Sequence, residues 1–136
     1  MKSQVMKREL RDYFDEQLQG VLNELPQRVH DLLDRVPLHV EDYPSQQVMA
    51  EMGIRDRDAL CGLYTGVPIS DRSASHPPIL PDVVTIYREG ILNLATDHRG
   101  TIDLAELQRQ MRITVLHELG HHHGMDEDEL TELGYG

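Results

Sequence analysis

The chain has 136 residues, a net charge of -11 from 24 acidic against 13 basic residues, and a single cysteine, Cys61. That length suits one domain over 1–136 with a core that needs no disulfide staples, and the acidic balance repels nucleic-acid phosphate unless basic residues gather on one face. A lone thiol cannot close an internal disulfide, which fits a reducing, cytoplasmic setting, and no long apolar run signals export or membrane spanning.

Lys2, Lys7, Arg8 and Arg11 cluster near the start and read as a solvated helix face or frayed end rather than a binding patch. Val21, Leu22, Leu25, Val29, Leu32, Leu33 and Val36 then keep helical periodicity through Pro26, which predicts two helices or one kinked helix. Leu38 to Val40 reads as a strand. Val48, Met49 and Met52 read as gap-filling core or loop residues, and Gly53 to Asp58, with Arg55 and Arg57, as a charged surface loop or short turn. Cys61 reads as a small buried apolar residue. Leu63 to Thr65 and Val83 to Tyr87 are two further strands, separated by the serine- and proline-rich stretch Ser70 to Pro81, which is the clearest loop. The three strands predict a small sheet.

Asp103 with Glu106 three residues later has capping-box spacing, and Leu104, Leu107, Met111, Val115 and Leu119 follow as one apolar stripe of a long helix. On that helix lies His117-Glu118-Leu119-Gly120-His121, the pattern H-E-x-x-H. Residues four apart fall about 40° apart around a helix axis and one turn up, so both imidazoles can reach one ion. Stepping from Leu104 puts His117 and His121 at about 220° and 260°, beside the apolar stripe, where they can face a cleft. Glu118 is placed to take a proton from water at such a metal. His122 falls in line with Leu104, Met111 and Val115 and reads as a packed histidine; His30, His39, His76 and His98 are scattered and carry no pattern.

Gly124 reads either as a plain helix stop or as the turn that folds the following residues back towards the metal. Asp126 and Glu129 again have capping-box spacing, predicting a short last helix. If Asp126 caps it, Glu127 is the freer oxygen donor and the better third ligand, since a catalytic zinc takes three protein ligands and keeps a fourth position open. Asp128, Glu129 and Glu132 read as a solvated acidic face.

The run His117-Glu118-Leu119-Gly120-His121-His122-x-Gly124-Met125-Asp126-Glu127-x-x-Leu130 resembles the signature of the small bacterial zincin-like proteins, or minimal zincins. Asn23-Glu24-Leu25-Pro26, the strand-like Val36 to Val40, Leu63-Tyr64-Thr65-Gly66-Val67-Pro68, and Pro81 to Tyr87 fall in the same order as in that family, so the likeness spans about Phe14 to Leu133. His123 departs from it, standing where an apolar or aromatic residue is more usual. The resemblance implies a zincin-type α+β domain, a small sheet of three or more strands packed on the H-E-x-x-H helix and the N-terminal helices, with His117 and His121 as ligands and Glu118 as base. It implies too that an edge strand pairs with an extended peptide; Val83 to Tyr87, nearest the motif, is the candidate.

The expected function is therefore that of a zinc-dependent metallopeptidase with one zinc per chain, held by His117, His121 and Glu127, acting on a peptide or protein. Tyr64, Tyr87, Tyr135 and His123 are candidate donors to the developing oxyanion. Only nine residues follow Glu127, which predicts a shallow cleft or one completed by a protein partner. Two other readings are a catalytically silent zinc-binding or interaction module and a metal-dependent endoribonuclease, the second opposed by Glu118 and by the acidic charge.

Overall fold

In the computed structural model, residues 6–66 and 82–133 are described, the side chains of His122, His123 and Glu127 excepted; Lys2, the Ser70 to Pro81 stretch with His76, and Tyr135 lie outside them. Helix α1 (Arg8–Glu24) buries Phe14, Leu18 and Val21, the four-and-three spacing of one helical face. Pro26 has no N–H for a continuing helix, so the chain stops and restarts as α2 (Gln27–Leu33), which buries Val29. The periodicity through Pro26 thus resolves into two helices.

Strand β1 (Leu38–Glu41) is followed by α3 (Gln46–Met52), which Ser45 caps by accepting the Val48 N–H at 3.1 Å and Gly53 ends in the left-handed conformation, φ 67°. This helix corrects the reading of Val48, Met49 and Met52: α3 has no buried residue, and Met52 is 49% exposed. Strands β2 (Gly62–Thr65) and β3 (Val83–Tyr87) come next, and β3 runs straight into α4 (Arg88–Ala95). The long helix α5 (Leu104–His123) and the short α6 (Glu127–Glu132) complete the order. No helix among the described residues is long and apolar enough to cross a membrane.

The fold is α+β. Its sheet has the order β1-β3-β2, with β1 parallel to β3 (Leu38 opposite Val84) and β2 antiparallel to it (Tyr64 opposite Val84). Val83 to Tyr87 is therefore the central strand, not an edge, and the expectation that it pairs with a peptide is overturned: both its hydrogen-bonding sides are already taken by β1 and β2. Burial agrees, since four of its five residues are inaccessible, as befits a strand covered on both faces.

Helix α5 packs against β2, β3, α1 and α4. Leu107, Met111, Val115, Leu116 and Leu119 meet Phe14, Val84, Ile86 and Ile91 in the core, whereas Leu104, the first residue of the predicted stripe, is 43% exposed at the helix entrance. Helix α4 can lie close to the β2 approach only because Gly90 has no side chain; a Cβ there would collide with the Leu60 carbonyl.

Two sets of ion pairs tie these parts together. Arg88, 9% exposed, donates from Nε and Nη2 to Asp15 at 2.9 and 3.0 Å and from Nη1 to Asp42 at 2.8 Å, while Arg11 Nη2 donates to the other Asp42 oxygen at 2.6 Å. Arg11, still partly in water, is thus part of a network linking α1, the end of β1 and the start of α4. Arg57 leaves the solvent: it forms a fork with Glu89 at 2.8 and 2.9 Å and lies over the Tyr43 ring, 3.9 Å from its centroid. The turn at Gly53 to Asp58 is anchored to α4 through it.

Candidate metal centre

Both predicted caps of the site are formed. Asp103 accepts the Glu106 N–H at 3.1 Å to start α5, and Asp126 accepts the Glu129 N–H at 2.9 Å to start α6. Between them α5 ends at Gly124, whose φ of 64° lets the Met125 N–H turn back to the Gly120 carbonyl at 2.9 Å. The chain reverses there, and buried Leu130 of α6 rests on Gly120, where a Cβ would lie 2.8 Å from its Cδ2.

At the end of α5, His117, Glu118 and His121 each offer one ligand atom within a set whose members all lie within 4.8 Å of one another. The two imidazoles are 4.4 Å apart between ring centroids and tilted by 59°. His121 keeps 54% of its side chain exposed, whereas Glu118 keeps 11%. This contrast follows from the helix: Glu118 is a turn beyond Thr114, on the side that packs against the sheet, and the histidines flank it on the open side. Glu118 Oε1 lies 3.4 Å from His121 Nδ1 and accepts the main-chain N–H of Tyr64, in β2, at 3.0 Å.

Beneath Glu118 the strand comes unusually close. A Cβ on Gly62 would stand 2.6 Å from Thr114 Cγ2, 3.1 Å from the Thr85 carbonyl oxygen and 3.3 Å from Glu118 Cγ. Gly62, Tyr64 through its main chain, and Thr114 are thus site residues that the motif does not disclose. The one sequence signal was a glycine at the head of a strand, which marks a close approach of backbone or ligand.

A model of the zincin-like metallopeptidase family matches residues 33–136, a span that takes in the sheet, α5 and α6. The chain belongs to that family. No curated protein matches it.

For a zincin-like protein the donor set has suitable chemistry. Imidazole nitrogen is a good zinc ligand, and His117 and His121 place two such donors in one set spanning no more than 4.8 Å. Glu127 begins α6, directly after the reversal, but its side chain lies outside the described residues, as do those of His122 and His123. Among the predicted oxyanion donors, Tyr87 is only 2% exposed and cannot face a cleft. Burial, with the nearby charge of Glu41 adding to it, pushes its hydroxyl above the usual phenol range. Tyr64 donates its hydroxyl to Asp82 at 3.1 Å, and Tyr135 is outside the described residues. Cys61 packs against the core, and burial followed by the charge of Glu118 pushes its thiol up, away from nucleophilic character.

Proposed function

We propose that this zincin-like protein is a zinc-dependent peptidase in which His117, His121 and Glu127 hold one zinc per chain and Glu118 is the general base. The observation that carries the reading is the pairing of two solvent-open imidazoles with a packed carboxylate in one set of donors on one helix end. Zinc bound there would supply a Lewis acid that polarises a carbonyl and acidifies water.

The chain's own residues do the rest. Glu118 takes the proton from the attacking water and passes it to the departing amine, its carboxylate held in place by the Tyr64 N–H. The cap formed by Asp126 supports the assignment of Glu127 as third ligand, because the Asp126 carboxylate is engaged with the Glu129 N–H.

The test is digestion of an unbiased peptide library by the zinc-loaded protein and by Glu118→Gln. The wild type should cut, and Glu118→Gln, with zinc content and fold retained, should be slower by about two or more orders of magnitude. Equal cleavage by both would remove Glu118 from the chemistry, and no cleavage by the wild type would favour a silent zinc-binding module.

A further inference from the structure

We infer that β2 is a positioning element for Glu118, with the Tyr64 main-chain N–H as the anchor and Gly62 as the gap that admits it. In the antiparallel pair, Tyr87 donates its N–H to the Cys61 carbonyl at 2.8 Å, and Leu63 stands opposite Thr85. Alternate residues of a strand turn their peptide groups to opposite sides, so Gly62 and Tyr64 direct theirs away from β3. The Tyr64 N–H is consequently surplus to the ladder and goes to Glu118 Oε1 at 3.0 Å.

A hydrogen bond from a main-chain donor to a carboxylate is stronger than one between neutral groups, and it fixes which oxygen faces the strand. Glu118 is 8% exposed, so little water is within reach to compete with the Tyr64 N–H for that oxygen. Gly62 makes the approach possible. Thr114 Oγ1 is bound to the Gln110 carbonyl at 2.7 Å, which turns its methyl towards Gly62, and a Cβ at that position would press on this methyl and on Glu118 Cγ together. Tyr64 and Gly62 are positioning residues that act through Glu118. For catalysis the inference rests on the proposed peptidase reading; for geometry it does not.

Amide hydrogen exchange on the zinc-free wild type and on Glu118→Ala tests the geometry without any substrate. The Tyr64 amide should exchange at least about tenfold faster in Glu118→Ala, with Leu63 and Thr65 unchanged, because a bonded amide exchanges only on opening. Equal Tyr64 rates in the two proteins overturn the inference.

For the catalytic consequence, Tyr64→Pro removes the N–H at an edge position where no ladder bond is lost, and Tyr64→Ala keeps it. The kcat of Tyr64→Pro should be at least about tenfold below that of Tyr64→Ala, at equal KM and zinc content. Equal kcat values overturn the positioning role. Should Tyr64→Pro melt or lose zinc, Gly62→Ala decides instead: its kcat should fall, and Thr114→Ser added to it, which removes the nearest obstacle and keeps the hydroxyl, should recover part of that loss, the Thr85 carbonyl still standing 3.1 Å from the new Cβ. A Gly62→Ala protein with wild-type kcat, or a double variant with no recovery, counts against the inference. If the wild type cleaves no peptide, it is the peptidase reading that fails, and the exchange measurement alone judges the role of Tyr64.

Discussion

At the scale of single residues, the proposed site gives two neighbouring carboxylates at the start of α6 tasks that mutation should separate. Asp126 closes the helix by accepting the Glu129 N–H, so Asp126→Ala should loosen α6 by about 1 kcal/mol, the usual worth of an N-cap, with zinc affinity little changed. Glu127→Ala should instead leave stability of the zinc-free protein alone and weaken zinc markedly. Competition titration with a chelator, alongside urea denaturation of the zinc-free variants, checks both; the opposite pattern would make Asp126 the ligand. His117→Ala and His121→Ala each remove a nitrogen donor from the 4.8 Å set and should each abolish stoichiometric zinc, read by metal analysis after gel filtration. Full zinc in either variant would dismiss the site.

At the scale of elements, the two helical glycines that let other parts approach should respond differently to alanine. Alanine gains about 1 kcal/mol of helix propensity over glycine at either place. At Gly120 the obstacle is the far end of the Leu130 side chain, which can turn aside, so Gly120→Ala should stay within about 1 kcal/mol of wild type. At Gly90 the obstacle is the Leu60 backbone, which cannot, so Gly90→Ala should lose about 2 kcal/mol or more after that offset, seen as a lower denaturation midpoint. Similar midpoints for the two would refute the distinction. The same contrast explains what the sequence made legible. Helix α5, its Asp103 cap, the break at Pro26 and the three strands all express themselves locally, through periodicity, caps and β-branched runs. Helix α4 does not, because Gly90 is there for a contact with a residue thirty positions earlier. Strand order is also non-local: nearness of Val83 to Tyr87 to the motif in sequence says nothing of the neighbours that enclose it. For the site, the two histidines and Glu118 were readable from one helix, but the Tyr64 anchor reaches across 54 residues and leaves no mark in the pattern.

At the scale of the whole molecule, Asp42 joins the N-terminal helix to the core that carries the site, since it binds Arg11 of α1 and Arg88 of α4 at once. Burial opposes its charge, yet the two guanidinium groups outweigh burial and hold its carboxyl below the usual aspartate range. Removing one partner of a buried ion pair costs about 3–5 kcal/mol. The loss here should be smaller, because Arg88 keeps its fork with Asp15 and the Arg11 side chain is 36% exposed to water that can replace its partner. We expect Asp42→Asn to cost about 2 kcal/mol at neutral pH. The pH dependence has a definite sign. A carboxyl with a lowered folded-state pKa contributes in full above its unfolded value of about 3.9, and the contribution fades as pH falls through the lowered folded value. Urea denaturation of zinc-free wild type and Asp42→Asn, from neutral pH down to about pH 3, should therefore show a stability gap that narrows in acid; working without zinc keeps protonation of the ligands out of the comparison. A gap that stays constant down to pH 3 would mean that Asp42 contributes through packing or neutral hydrogen bonds, and that the charge network does not hold α1 to the rest of the fold.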